Sequence, residues 1–146
     1  MQKNTYFNPS SLKNIEELTW LNKSNTNFLW VYKEDPNQKD LIEEMMIDKL
    51  ILNPRVLHAT LEDVSILKFT GKERFHFLKK HFPLNKIVFL GVQPEDFGIQ
   101  INFPKFQILK HLDFYFLKLD APEKLGSLDK KHKLLLVDVL NGISQL

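Results

Sequence analysis

The residues best suited to metal or proton chemistry are five histidines: His58, His76, His81, His111 and His132. Only His76 and His81 are close in sequence. Five positions along a helix set them about 140° apart, so they cannot reach one ion from one face. No metal-ligand spacing occurs, and no metal site is predicted. The absence of cysteine excludes thiolate metal sites, a disulfide framework and a cysteine nucleophile. There is no G-x-S-x-G elbow, no G-x-G-x-x-G turn and no Walker A loop. Gly91 and Gly98 do flank VQPEDF after a strand-like run, which is where α/β sheets bind ligands. Glu95 and Asp96 would repel an anion there, so an ordinary turn is the simpler reading. Adjacent acids such as Glu62-Asp63 diverge by about 100° on a helical turn and make no shared-proton pair. These residues predict no catalytic group and no cofactor.

A basic and aromatic stretch is the second chemical feature. Residues 68–86 carry Lys68, Lys72, Arg74, Lys79, Lys80 and Lys86 against Glu73 alone, with Phe69, Phe75, Phe77 and Phe82 among them. Interleaved cations and rings mark grooves for single-stranded nucleic acid. Here Phe75, Leu78 and Phe82 recur at the spacing of a buried helical face. What remains is a modest phosphate-attracting patch at Lys72, Lys79 and Lys80, and the expectation is a weak direct contact with DNA at most. On the last predicted helix, Leu134 and Val137 fall away from the main apolar stripe, among Lys130, Lys133 and Asn141. A helix apolar on a second side is either buried twice or meets another chain. A protein partner is favoured there, with a second copy of the chain as the alternative.

The elements that must position these groups follow from periodicity. Residues 28–32 (FLWVY), 64–69 (VSILKF) and 86–90 (KIVFL) are apolar runs of strand length. Residues 106–112 and 114–119 read as two further strands meeting near His111–Asp113. Helices are predicted over 41–52, capped by Asp40 and ended by Asn53-Pro54, and over 72–82, stopped by Pro83. A last helix runs from Ser127 or Asp129 to about Ile143. Residues 56–60 fit either a short strand or an extended connection. Strands separated by amphipathic helices imply crossovers. The predicted class is α/β: a three-layer α/β/α sandwich with a mainly parallel sheet of four to five strands. Residues 27–146 form that single domain. Residues 1–26, polar with spaced Leu12, Ile15, Leu18, Trp20 and Leu21, read as an N-terminal arm or partner-docking segment that ends in a linker at 22–27.

The chain of 146 residues, 43% hydrophobic and 26% charged, has the mix of one globular domain. A net charge of +2 is too small for a generic DNA coat. No run approaches the roughly 20 apolar residues of a membrane span. The opening MQKNTYFNPSS has no apolar core for a secretory signal, so a cytoplasmic location without membrane contact is expected.

Leu12 and Ile15, then Leu18, Thr19 and Trp20, ahead of a compact α/β domain, resemble the start of the psi subunit of bacterial DNA polymerase III. That family has a Thr-x-Trp-like motif, whereas Thr19 and Trp20 are adjacent here, and Lys23 alone represents the basic residues that follow the family's Trp. The resemblance implies a non-catalytic subunit that links the clamp loader to accessory replication proteins. The N-terminal segment would grip the clamp loader through Leu18 and Trp20, and the folded domain would bind a chi-like subunit. A second resemblance is to the strand and loop that open the active site of uracil-DNA glycosylases, carried by IVFLGVQP at residues 87–94. It implies the alternative of a glycosylase-like or nucleotide-binding domain with its site at Gly91–Gly98. Asn102-Phe103-Pro104 supplies no later histidine of the kind such enzymes use.

Overall fold

The computed structural model describes residues 18–146. Its strands are β1 (Thr19–Asn22), β2 (Phe28–Tyr32), β3 (Ser65–Lys68), β4 (Lys86–Leu90), β5 (Ile108–His111) and β6 (Phe114–Leu119). Its helices are α1 (Lys39–Glu43), which continues as a π-helix over Glu44–Ile51, α2 (Phe75–His81), α3 (Pro122–Leu125) and α4 (Lys130–Ser144). They build one mixed sheet in the order β1-β3-β2-β4-β6-β5. The inner strands β3, β2, β4 and β6 run parallel to one another, while β1 and β5 pair antiparallel at the two edges.

Strands β2 and β4 are buried at every position. Their side chains alternate between two apolar clusters. Trp30, Val88 and Leu90 join Ile42, Met46, Leu140 and Ile143 on one face. Leu29, Val31, Ile87 and Phe89 join Leu78, Phe97 and Phe116 on the other. A sheet covered on both faces needs apolar residues at successive positions, which is why these strands show no polar alternation. The α/β class is as expected.

The sheet has six strands rather than four to five. The addition is β1, in the segment read as an arm, so the domain begins before residue 27. Leu18 and Trp20 face the second cluster and Leu21 the first, a strand period broken by an irregularity between Trp20 and Asn22. The predicted linker is tied down. The Asn22 side-chain amide donates to the carbonyls of Leu61 and Val64 at 2.7 and 2.8 Å, and Thr26 Oγ1 donates to the Asp63 carbonyl at 2.9 Å. The arm reading of residues 1–17 lies outside the described residues.

Other boundaries shift for local reasons. Asp40 lies inside the first turn of α1, and it is Asp35 that caps the preceding 3-10 turn, accepting from the Asn37 amide at 3.0 Å. The helix over 41–52 widens because the Leu52 amide bonds Ile47 O, five residues back. Residues 56–60 form no strand, as Asn53 O accepts from both Val56 N and His58 N in a turn. Helix α2 starts at Phe75 because buried Glu73 accepts from Thr70 N at 2.8 Å and Thr70 Oγ1 at 2.6 Å, holding residues 70–73 in a turn. Asp129 caps α4, accepting from His132 N at 2.8 Å.

The chain leaves β4 through Gly91, whose φ of +76° favours glycine and whose added Cβ would lie 2.8 Å from Ala121 Cβ. Replacing Gly91 by Ala is expected to destabilise the fold by about 1–3 kcal/mol through backbone strain and that clash. Urea unfolding measures it, and an unchanged midpoint would contradict this account of the turn.

Candidate functional site

In parallel sheets the strand ends are where unpaired polar groups collect and where loops diverge around a ligand. At the carboxyl ends of β2, β4 and β6 lies a cleft of about 380 Å³ lined by Lys33, Gly91, Gln93, Lys105, Asp120 and Glu123, among others. A second hollow of about 340 Å³ shares Lys33, Gly91 and Glu123 and adds Glu34 and Asp35. Much of this charge is committed internally. Lys105 pairs with Asp120 at 2.6 Å, and Lys68 pairs with Glu34 at 2.6 Å. Glu123 Oε2 is buried with no hydrogen-bond partner among the described residues.

Of the Gly91–Gly98 loop, only Gly91 and Gln93 line the 380 Å³ cleft. Val92, Pro94 and Phe97 are buried. Gly98, at φ +94°, closes the 3-10 turn that Pro94 opens, and Glu95 and Asp96 are left exposed. The loop is mostly filled by its own side chains. None of the five histidines lines the carboxyl-end cleft. Among the described residues, no three His, Asp or Glu side chains are grouped to hold a metal ion.

The residues singled out for partner contact separate into two surfaces. Trp20 is half-buried on edge strand β1, its ring edge-on to Phe82 at 5.4 Å and its Nε1 buried with no hydrogen-bond partner among the described residues. Lys23 Nζ sits 5.9 Å from the same Phe82 ring. Phe82 follows α2, so Trp20 lies beside the helix end that carries Lys79, Lys80 and His81. Two features read separately in the sequence therefore share one side of the sheet. Leu18 is not presented with them. It is 6% exposed and packs into the second cluster, a correction to its reading as a contact. Lys79 and Lys80 are exposed on α2, with Lys79 Nζ 5.3 Å from the Phe75 ring. Lys72 is exposed too, but it lies in the turn before α2, which separates it from the helical patch.

Leu134 lies on α4, against the opposite face of the sheet. It is 59% exposed and its neighbour Leu135 is 41% exposed. Leu136, Leu140 and Ile143 bury the other side of the helix. Val137 is only partly covered and packs on the first cluster, so it belongs more to the core than to the exposed patch. Sequence reading missed the carboxyl-end cleft because Lys33, Lys105 and Glu123 are far apart along the chain. The one local signal was Gly91 at the end of an apolar strand.

These features define an α/β protein with a mixed six-stranded sheet. No family model, no curated protein and no solved structure matches the chain.

At the end of β2, burial pushes the Tyr32 phenol up to about 12, with the nearby Glu34 and Glu43 carboxylates adding to the effect. Its folded pKa is above its unfolded one. The associated stability is therefore complete below pH 10 and falls as pH rises from about 10 to 12. The expected outcome is a urea midpoint that drops more steeply across this window in the wild type than in Tyr32→Phe. Parallel pH curves would contradict the assignment.

Proposed function

We propose that the chain is a non-catalytic protein-binding subunit of the kind the psi resemblance implies, joining a clamp-loader partner to a second, chi-like partner. The observation that carries this reading is the exposed Leu134-Leu135 pair on α4, a helix whose other side is already buried. Large aliphatic side chains left in water on an otherwise packed helix suit a protein interface. Trp20 supplies a second anchor on the other face of the sheet. Its ring is half-buried, leaving one part packed on Phe82 and another part open to a partner.

Two separated anchors are what a bridging subunit requires. The basic end of α2 beside Trp20 supports weak attraction to an acidic partner or to DNA phosphates, as a secondary feature. The finer architecture that goes with this proposal is a three-layer α/β/α sandwich. It is supported by two apolar clusters, one holding α4 and the other α2. Among the described residues no helix is long and apolar enough to cross a membrane, and we place the protein in the cytoplasm. A second reading, a nucleotide-binding or glycosylase-like domain, is favoured by Gln93 and Glu123 in the carboxyl-end cleft.

Capture of purified clamp-loader and chi-like subunits on the immobilised chain tests the proposal. Trp20→Ala is expected to weaken clamp-loader binding by about 2 kcal/mol, roughly thirtyfold in Kd. Leu134→Asp is expected to abolish the second contact without lowering the melting temperature. Absence of retention, or retention indifferent to both substitutions, overturns the reading.

A further inference from the structure

At the amino end of the sheet, opposite the carboxyl-end cleft, is a cavity of about 330 Å³. Lys86, the first residue of β4, lines it together with Thr26, Phe28, His58, Asp63 and Ser144. Lys86 is 7% exposed, an unusual state for a lysine. Nζ donates one hydrogen bond, to the Ser144 carbonyl at 3.1 Å, and lies 5.1 Å from the centre of the Phe28 ring. Neither partner carries a charge. No carboxylate lies within ion-pairing distance of this amine among the described residues. An ammonium has three protons to donate, and among the described residues one acceptor takes one of them.

The cavity wall is unsuited to an anion. Its lining includes the acidic Asp63 and Ser144, the last residue of α4, where the helix end is partially negative. It suits a small neutral molecule that reacts with an amine. We propose that Lys86 is a carbonyl-reactive amine, and that the cavity takes a small neutral aldehyde, which it holds as an imine. The Nζ lone pair adds to the carbonyl carbon, and the carbinolamine then loses water. The carbonyl oxygen leaves with both hydrogens of the amine, forming the C=N bond with no oxidant or reductant consumed. Proton transfers of this kind need groups that exchange protons at the same opening. His58 and Asp63 line it, and Asp63 uses Oδ2 for Thr60 N and Thr60 Oγ1 while Oδ1 receives no hydrogen bond from the described residues. His58 is held in this wall by a backbone with φ of +49°, a conformation seldom adopted by residues other than glycine. Burial lowers the Lys86 pKa, which raises the share of free amine near neutral pH.

The test is reductive trapping on the full chain. Glycolaldehyde at low molar excess is incubated with the protein and cyanoborohydride at neutral pH, and the reduced adduct is mapped by peptide mass spectrometry. The expected result is a predominant single adduct at Lys86, forming about tenfold faster than at any exposed lysine, as for other amines made reactive by dehydration. Unfolding in urea is expected to erase that preference. Labelling spread over the surface lysines with Lys86 at or below their average, or a preference that survives unfolding, overturns the proposal. The measurement is made on the wild-type chain, so it does not depend on a Lys86 variant folding.

Discussion

The structure rests on the burial of β2 and β4 between two apolar layers. Each strand is five residues long and none of the ten side chains reaches solvent appreciably. Fully burying one aliphatic or aromatic side chain is worth about 1.5–3 kcal/mol, so this pair contributes a large part of the driving force. The constraint it imposes is as important as the energy. Both faces must be covered, so two of the parallel connections cross over through helices α1 and α2, the third passes through the 3-10 turn and β5, and polar groups gather at the strand ends and sheet edges. The carboxyl-end cleft and the amino-end cavity sit at strand ends and Trp20 at a sheet edge, while the exposed leucines lie on the outer side of α4.

Two polar groups at those strand ends show the same force acting with opposite sign. Tyr32 ends β2 and Lys86 begins β4, both within registers that are otherwise apolar. Dehydration penalises the charged form of each. It therefore raises the phenol and lowers the amine, and both shifts favour the neutral side chain. The neighbours differ. Glu34 and Glu43 reinforce the effect on the phenol. The amine is met by a helix-end carbonyl and a ring, which soften the penalty on its charged form without removing it.

Legibility in the sequence followed the strength of this burial. FLWVY and KIVFL were readable as strands to the residue, because continuous apolar runs bounded by polar residues have few other uses. Strand β1 was not readable. It is short, pairs on one side only, and turns Trp20 to the same face as the preceding Leu18 with Leu21 on the other, a period that an irregular edge can conceal. Leu18 looked like a contact and is core for the same reason. Lys72 looked helical until the Thr70–Glu73 turn delayed α2, an effect that depends on a carboxylate folding back rather than on periodicity. Lys86 looked like part of a basic run. Its true character depended on Ser144 and Phe28 arriving from elsewhere, and the only local sign was a lysine heading an apolar strand.

Helix α4 carries both the exposed leucine pair and one wall of the amino-end cavity. Leu136, Leu140 and Ile143 anchor it to the sheet, Leu134 and Leu135 remain in water, and its last carbonyl, that of Ser144, accepts the Lys86 hydrogen bond. A neutral imine nitrogen has no hydrogen to donate, so adduct formation at Lys86 would leave the Ser144 carbonyl without that donor. A hydrogen bond of this type is worth about 0.5–1.5 kcal/mol net, and more when its donor is charged. The loss falls on the final turn, the part of a helix that frays most readily, while Leu134 lies nearer the end capped by Asp129. Close packing of Leu140 and Ile143 stands between the two sites. Chemistry at the amino-end cavity should therefore loosen the end of α4 and leave its exposed leucines in place, so the proposed binding surface and the proposed imine can coexist on one helix without sharing an equilibrium.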